Sequence, residues 1–225
     1  NAWIDFTSSI FVTNSGHAND QVVKRINEYI SKPLLHSYYY PTKIRAKFLK
    51  KLIRMTPSYF DKAILLSVGT EATERAIKIS RIYGESVSKG KSIIVGGEGN
   101  YHGKTLGAQM VGGQHADKDW IGYLDPNMKH MPFPFPWELD NFDGDGKDMF
   151  YSHLKSLEEQ GVDLTKITAF FVESFQGWGA IFYPVEYIKA MREWSIKNNT
   201  LLVFDEIQAG FGRTGKFFAY EHYDV

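Results

Sequence analysis

The sequence has no cysteine among its 225 residues and no net charge, since 26 basic side chains balance 26 acidic ones. The first absence excludes disulfides and cysteine-ligated zinc and is compatible with a reducing compartment. The second argues against a general nucleic-acid or membrane-surface binder, which needs a basic excess or stripe to displace counterions from phosphates. Long apolar runs are missing as well. Ile167 to Val172, one of the longest, is interrupted by Thr168 and falls far short of the roughly 18 residues of a membrane span. Nor does the stretch from Asn1 to Thr13 carry the basic start and apolar run of a signal peptide. A soluble globular chain in the cytoplasm is therefore the expectation. Position 1 is Asn rather than Met, and Val225 follows neither a polar tail nor a capped helix, so both ends are expected to be truncations. At roughly 150 residues per domain, the length corresponds to about one domain and a half.

What is present, 43% apolar residues, is patterned in two ways. Val22, Val23, Ile26 and Ile30, then Ile44, Phe48, Leu52 and Ile53, recur at helical spacing between the breakers Pro33 and Pro57, so two amphipathic helices open the chain. After them, short apolar runs alternate with helical segments. The runs are Ala63 to Val68, Ser92 to Val95, Ile167 to Val172 and Leu201 to Phe204; the helices are Glu71 to Tyr83 and Val185 to Lys197. Apolar runs without polar alternation suit strands buried on both faces, and their alternation with helices predicts an α/β fold with a mostly parallel sheet and helices on both faces. The stretch from Gly112 to Asp148 is rich in Gly, Pro, Asp and aromatics. Its Pro132, Pro134 and Pro136 predict neither helix nor interior strand but an ordered surface excursion, either a wall of a site or a loop packed by its own aromatics.

In open α/β sheets ligands bind where strands end, so the residues after each run are the candidates. Ser67-Val68-Gly69-Thr70-Glu71 turns from a run into a helix, where free N–H groups and the helix dipole make a phosphate-sized anion site; alternatively, Thr70 is a simple N-cap. Gly96 to Gly103 presents Tyr101 and His102 on a glycine-rich loop. His102 read alone is either a base or a hydrogen-bonded structural histidine. Glu173 ends the third run. Asp205 and Glu206 end the fourth and lead into Ile207-Gln208-Ala209-Gly210-Phe211-Gly212-Arg213-Thr214-Gly215-Lys216. A carboxylate delivered by a buried strand needs a cation, a metal or a charged heterocycle to offset its desolvation. Gly210 to Lys216 has the G-x-x-x-x-G-K spacing of an ATPase phosphate loop. Phe217 then stands where that loop needs Ser or Thr, and the segment follows the acidic strand instead of opening a helix, so the ATPase reading fails.

Together these segments resemble the class III, fold-type-I aminotransferases that use pyridoxal 5′-phosphate (PLP), the group of the ornithine, acetylornithine and 4-aminobutyrate enzymes. Asp5 to Ile10 with Gly16-His17 resembles the family's opening segment, and Gly69-Thr70-Glu71-Ala72 its phosphate turn. Tyr101-His102-Gly103 resembles its ring-stacking motif. Asp205-Glu206-Ile207-Gln208, with Gly210 to Gly215, resembles its most specific signature. The resemblance implies that Asp205 pairs with the pyridinium nitrogen, Gln208 bonds the ring's phenolic oxygen, Tyr101 stacks on the ring, and Gly69 and Thr70 hold the phosphate. It makes Glu173 an acid near Asp205 and His102 a supporting residue. It implies a small-molecule amino donor, a keto acid acceptor and a homodimer, and no metal, nucleic acid or membrane.

The sequence departs from the family at four places. Ser174 stands where relatives often have Pro, and Trp178 where several have a Glu that gates a carboxylate-binding arginine. Lys104 stands where some have a substrate-clamping Arg; lysine lacks the bidentate fork, so their specificity does not transfer. Trp178 suggests a bulkier, more apolar substrate wall or a packing role at a subunit contact. Fourth, the family's Schiff-base lysine lies beyond the Asp205 signature, and neither Lys216 nor Lys197 is well placed to replace it. The expected organisation is therefore an N-terminal segment at 1–41 and an incomplete large cofactor domain at 42–225, with the small C-terminal domain absent. The whole protein is expected to be an aminotransferase, and the 225 residues alone inactive. A related PLP-dependent aminomutase or decarboxylase, or a noncatalytic fragment that only folds and dimerises, are the alternatives.

Overall fold

A computed structural model describes residues 3–33 and 39–225, in two compact units, 1–65 and 66–225. The first unit carries the two expected helices, α1 (Asp20–Ile30) and α2 (Lys43–Arg54). Each starts at a side-chain cap: Asn19 Oδ1 accepts the Gln21 and Val22 N–H groups, and Thr42 Oγ1 accepts that of Arg45. Neither helix buries a residue, and the apolar faces at Val22, Val23, Ile26, Ile30, Ile44 and Phe48 remain exposed. A four-residue turn at Ser8–Phe11 has positive φ throughout, 51° to 69°.

The second unit is a four-stranded sheet, all parallel, with helices on both faces, as expected. Its elements are α3 (Gly69–Val87), β1 (Ile93–Gly97), α4 (Leu106–Val111), β2 (Met128–Met131), α5 (Gly146–Glu159), β3 (Ile167–Glu173), α6 (Val185–Lys197) and β4 (Leu201–Asp205). Strand order is β2-β1-β3-β4. Strands β1 and β3 are buried along their whole length, which is why they read as apolar runs without polar alternation. On one face Val95, Phe170 and Val172 pack with Phe150, Leu154, Tyr187 and Met191 of α5 and α6. On the other, Ile94, Ala169 and Phe171 pack with Ile77 of α3. Each such large side chain contributes roughly 1.5–3 kcal/mol on burial. Among the described residues no helix is long and apolar enough to cross a membrane.

Two expectations need correction. The run 63–68 forms no strand: it is irregular, pairs with nothing, and leaves Ile64, Leu65, Leu66 and Val68 exposed. Apolar composition there was no evidence of pairing. The stretch 112–148 is not free of helix and is not wholly a surface excursion. It holds a 3-10 segment, His115–Ile121, the edge strand β2 and a helical turn, Pro136–Leu139. Proline obeys its own rules here, since Pro132 follows the last residue of β2 and Pro136 opens its turn, where no N–H is needed. Met131 and Phe133 are buried in the main core.

The amino ends of the strands are gathered by one buried cation. Lys91 Nζ donates to the carbonyls of Thr165 and Asn198, each at 3.1 Å, and to Thr200 Oγ1 at 3.4 Å. Helix α3 reaches this region through Gly84, where an added Cβ would lie 2.1 Å from the Lys91 carbonyl oxygen and 2.3 Å from Thr168 Oγ1. In an exposed helix Gly→Ala gains about 1 kcal/mol. Here the clash with backbone reverses the sign, and Gly84→Ala should destabilise the whole protein by about 1–3 kcal/mol. A lower urea midpoint is the expected result; an unchanged or higher one would show that α3 can retreat.

Two histidines make the fold acid-sensitive. Burial, then the charges of Lys118 and His115, depress His130 from 6.5 to about 4, and burial depresses His153 to about 4. Lys118 Nζ lies 3.2 Å from His130 Nε2, which can accept a hydrogen bond only while the ring is neutral. The folded state thus holds fewer protons than the unfolded chain between pH 6.5 and 4. Stability contributed by neutral rings is complete above 6.5 and is lost as pH falls through about 4. Urea unfolding across that range should show this decline, and His130→Gln should flatten part of it.

Candidate active site at the carboxyl end of the sheet

Parallel strands bring their carboxyl ends to one edge, and the register places Glu173 directly opposite Asp205. Two carboxylates separated by 31 intervening residues therefore become neighbours, and the structure gives them different surroundings. Glu173 is buried, and its Oε1 and Oε2 accept the N–H groups of Tyr101 and Gly177, each at 2.8 Å. Burial raises its pKa; those two N–H groups, and His102 nearby, oppose the rise. Asp205 is also largely buried but reaches an open cleft of about 290 Å³ between α3 and β4, lined by Thr73, Ala76, Phe171, Val203, Ile207 and Phe211 among others.

The Asp205 carboxylate is held at both oxygens. His102 Nδ1 lies 2.9 Å from Oδ2, and the Ile207 N–H donates to Oδ1 at 3.0 Å. The ring of His102 is fully buried, edge-on to Phe171, and its Nε2 has no partner among the described residues. His102 is thus within hydrogen-bonding distance of Asp205 through Nδ1.

Glycines let the loops close around this pair. Gly103, at φ +122°, lies where a Cβ would be 2.3 Å from Thr70 Oγ1, and a Cβ on Gly177 would be 2.0 Å from Gln208 Oε1. Gln208 therefore lies across the loop that Glu173 fastens. Thr70 is not an N-cap: α3 begins at Gly69 after Val68, with no side-chain cap, while Thr70 Oγ1 lies 2.7 Å from Thr105 Oγ1. The uncapped N–H groups at this helix start remain suited to an anion.

The structure thus brings together Gly69 and Thr70 at a helix start, Glu173 and Asp205 at strand ends, and Tyr101, His102 and Gln208 on the adjoining loops. Lys104 and Trp178 are exposed and do not line the Asp205 cleft, and neither do Tyr101 and Gln208. Trp178 stands 6.1 Å from Phe135, whose ring stacks on Trp137 at 4.6 Å. Sequence reading passed over Glu74 and gave Glu206 no role of its own. Glu74 Oε1 accepts from the Thr105 hydroxyl and from the N–H groups of Gly107 and Ala108, so α3 caps α4. No local pattern announces a cap supplied from more than thirty residues away.

The carboxyl end of a parallel α/β sheet is where ligands bind in open α/β folds, and here it holds a cleft and a histidine-braced carboxylate. The chain belongs to the class-III aminotransferase family, whose model matches residues 1–225. Acetylornithine aminotransferases of Clostridium acetobutylicum and Methanocaldococcus jannaschii are each 33% identical to it, over 100% and 99% of this chain and 53% and 51% of theirs. Among solved structures, the taurine:2-oxoglutarate aminotransferase of Bifidobacterium kashiwanohense, in complex with PLP and glutamate, superposes with a TM-score of 0.85 at 27% identity, over 99% of this chain and 50% of that one. An (S)-enantioselective omega-transaminase of Thermomicrobium roseum gives 0.88 at 25%, over 99% and 51%. The chain spans about half the length of the curated relatives it matches.

Proposed function

We propose that the whole protein is a fold-type-I, PLP-dependent aminotransferase that moves an amino group between an amine or amino acid and a keto acid. The observation that carries this is Asp205: a strand-end carboxylate, braced at both oxygens, at a cleft in a chain that matches the family over its length. The donor set fits the cofactor. One carboxylate suits a ring nitrogen, an uncapped helix start suits a phosphate, a half-exposed Tyr101 offers an aromatic face, and Gln208 offers an amide. Bound there, PLP supplies an electron sink for charge left on the substrate carbon when its proton is removed.

The chain's own residues have distinct parts in this reading. Asp205 keeps a proton on the ring nitrogen, and His102 keeps Asp205 turned toward it. Gln208 bonds the phenolic oxygen, and the Gly69 and Thr70 N–H groups take the phosphate. Glu173 fixes the Tyr101 backbone, and hence the position from which the Tyr101 ring stacks. Lys104 and Trp178 serve the substrate side. Residues 1–41 act as an N-terminal segment and 42–225 as the large cofactor domain, in a cytoplasmic homodimer. The covalent lysine is supplied from outside these 225 residues.

Titration of the whole protein, stripped of cofactor, with PLP should give a saturable change in visible absorbance. Amino transfer from a panel of amines and amino acids to 2-oxo acids should follow in the same preparation. Absence of saturable binding would sink the reading.

A further inference from the structure

Asp205 and Glu206 are adjacent carboxylates, but Glu206 serves a different set of partners. Its Oε1 accepts the Ser174 hydroxyl at 2.5 Å and the Tyr220 N–H at 2.8 Å, and its Oε2 accepts the Ala219 N–H at 2.9 Å. Its backbone carbonyl accepts the Gly210 N–H at 2.8 Å, and a Cβ on Gly210 would sit at that same distance from the carbonyl oxygen. One residue therefore fastens the loop 207–218 at its start through the main chain and at its end through the side chain. The anchor on the other side is rigid: Ser174 is fully buried, and its carbonyl accepts the Tyr223 hydroxyl at 2.5 Å.

What this loop carries makes the fastening consequential. Its first N–H, from Ile207, orients Asp205 Oδ1; Ile207 and Phe211 line the cleft; Gln208 lies across Gly177. Charge-assisted bonds to a carboxylate are about twice as strong as neutral ones, so three of them on Glu206 make it a strong hold on the end of the loop. We propose that Glu206, with Ser174 as its anchor, is a positioning residue that sets the shape of loop 207–218 and thereby the aim of Asp205 and Gln208. The inference rests on the cofactor-binding reading of the site; Glu206 borders the cleft beside Asp205, but its carboxylate oxygens are taken up by Ser174, Ala219 and Tyr220.

The test uses the whole protein and compares Glu206→Ala, Glu206→Gln and Ser174→Ala. PLP affinity is measured by absorbance titration below the unfolding temperature, and amide hydrogen exchange is followed across 93–97 and 207–218. Glu206→Ala should weaken PLP binding by about 10- to 100-fold. It should also raise exchange in 207–218 while β1 stays protected. Glu206→Gln keeps an acceptor for one of the two N–H groups but turns an NH₂ group toward the other, so it should recover only part of the affinity. Ser174→Ala, which removes one bond, should lose less than Glu206→Ala. A folded Glu206→Ala protein with wild-type affinity, or a loss of thermal stability with affinity unchanged, would overturn the proposal. Should Glu206→Ala fail to fold, an unaltered affinity in both other variants would do the same. If the unmodified protein binds no PLP, the cofactor reading fails separately, and unchanged exchange at 207–218 in the variants still overturns the positioning role.

Discussion

Replacing Asp205 by Asn should lower kcat/KM for amino transfer in the whole protein by about 10²- to 10⁴-fold with little loss of fold. The range follows from the roughly 3–5 kcal/mol cost of removing one partner of a buried charge pair, here the proposed pairing of Asp205 with a protonated ring nitrogen. Asn is isosteric, so the volume at the end of β4 is unchanged, but it offers one acceptor where Asp offers two. If that oxygen keeps the Ile207 N–H, now at 3.0 Å, the amide nitrogen is turned toward His102 Nδ1, now 2.9 Å from Oδ2. His102 must then accept through Nδ1 and carry its proton on Nε2, which is buried with no partner among the described residues. The substitution thus removes the negative charge and also selects the wrong tautomer of the supporting ring. Both effects reduce turnover by more than they reduce stability, so kcat should fall while the unfolding free energy from urea titration drops by about 1–2 kcal/mol or less. Retention of more than a tenth of wild-type kcat/KM would sink the assignment of Asp205.

Much of the fold was legible because burial on both faces leaves a plain mark. The run Ile167 to Val172 became β3, ending at Glu173, and Leu201 to Phe204 became β4, ending at Asp205. Helix α6 begins and ends where its apolar spacing does. Strand β2 was not legible: Met128-Lys129-His130-Met131 has little β-propensity and is a strand because β1 presents an edge to it. The run 63–68 shows the reverse, apolar residues with no partner. In the site, a carboxylate after an apolar strand singled out Asp205 and Glu173 individually. Their adjacency, the His102 contact across 103 positions and the Ser174–Glu206 bond are products of register and loop closure. No local pattern encodes those, and they decide how each side chain is aimed.

Glu173→Ala should produce the largest loss of stability of the substitutions considered, about 2–5 kcal/mol, by leaving two buried donors without acceptors. The Tyr101 and Gly177 N–H groups converge on its two oxygens at 2.8 Å each, in a position that is 6% exposed. Burial holds the carboxyl's pKa above its ordinary 4.5, so the ionised form carries a desolvation cost that the two N–H groups only partly offset. The sign follows: the folded state keeps this proton more tightly than the unfolded chain, and Glu173 taken alone stabilises less as pH rises through its folded pKa. That is opposite in sign to the histidine effect, and the two overlap, since the Glu173 window opens at 4.5, inside the range from 6.5 down to about 4 over which the histidines act. Glu173→Gln removes the desolvation cost but turns an NH₂ group toward one of the two N–H donors, so it should fall between wild type and Glu173→Ala. The measurement that assigns the effect is amide exchange at Tyr101 and Gly177, which should accelerate in both variants while Ile94 and Phe170 in the sheet stay protected. Loss of the Tyr101 anchor also frees the residue proposed to stack on the cofactor, so the Ala variant should bind PLP more weakly even where it is fully folded. A Glu173→Ala protein with an unchanged urea midpoint and unchanged protection at those two amides would show that solvent replaces the carboxylate, and that the loops after β1 and β3 are held by other contacts.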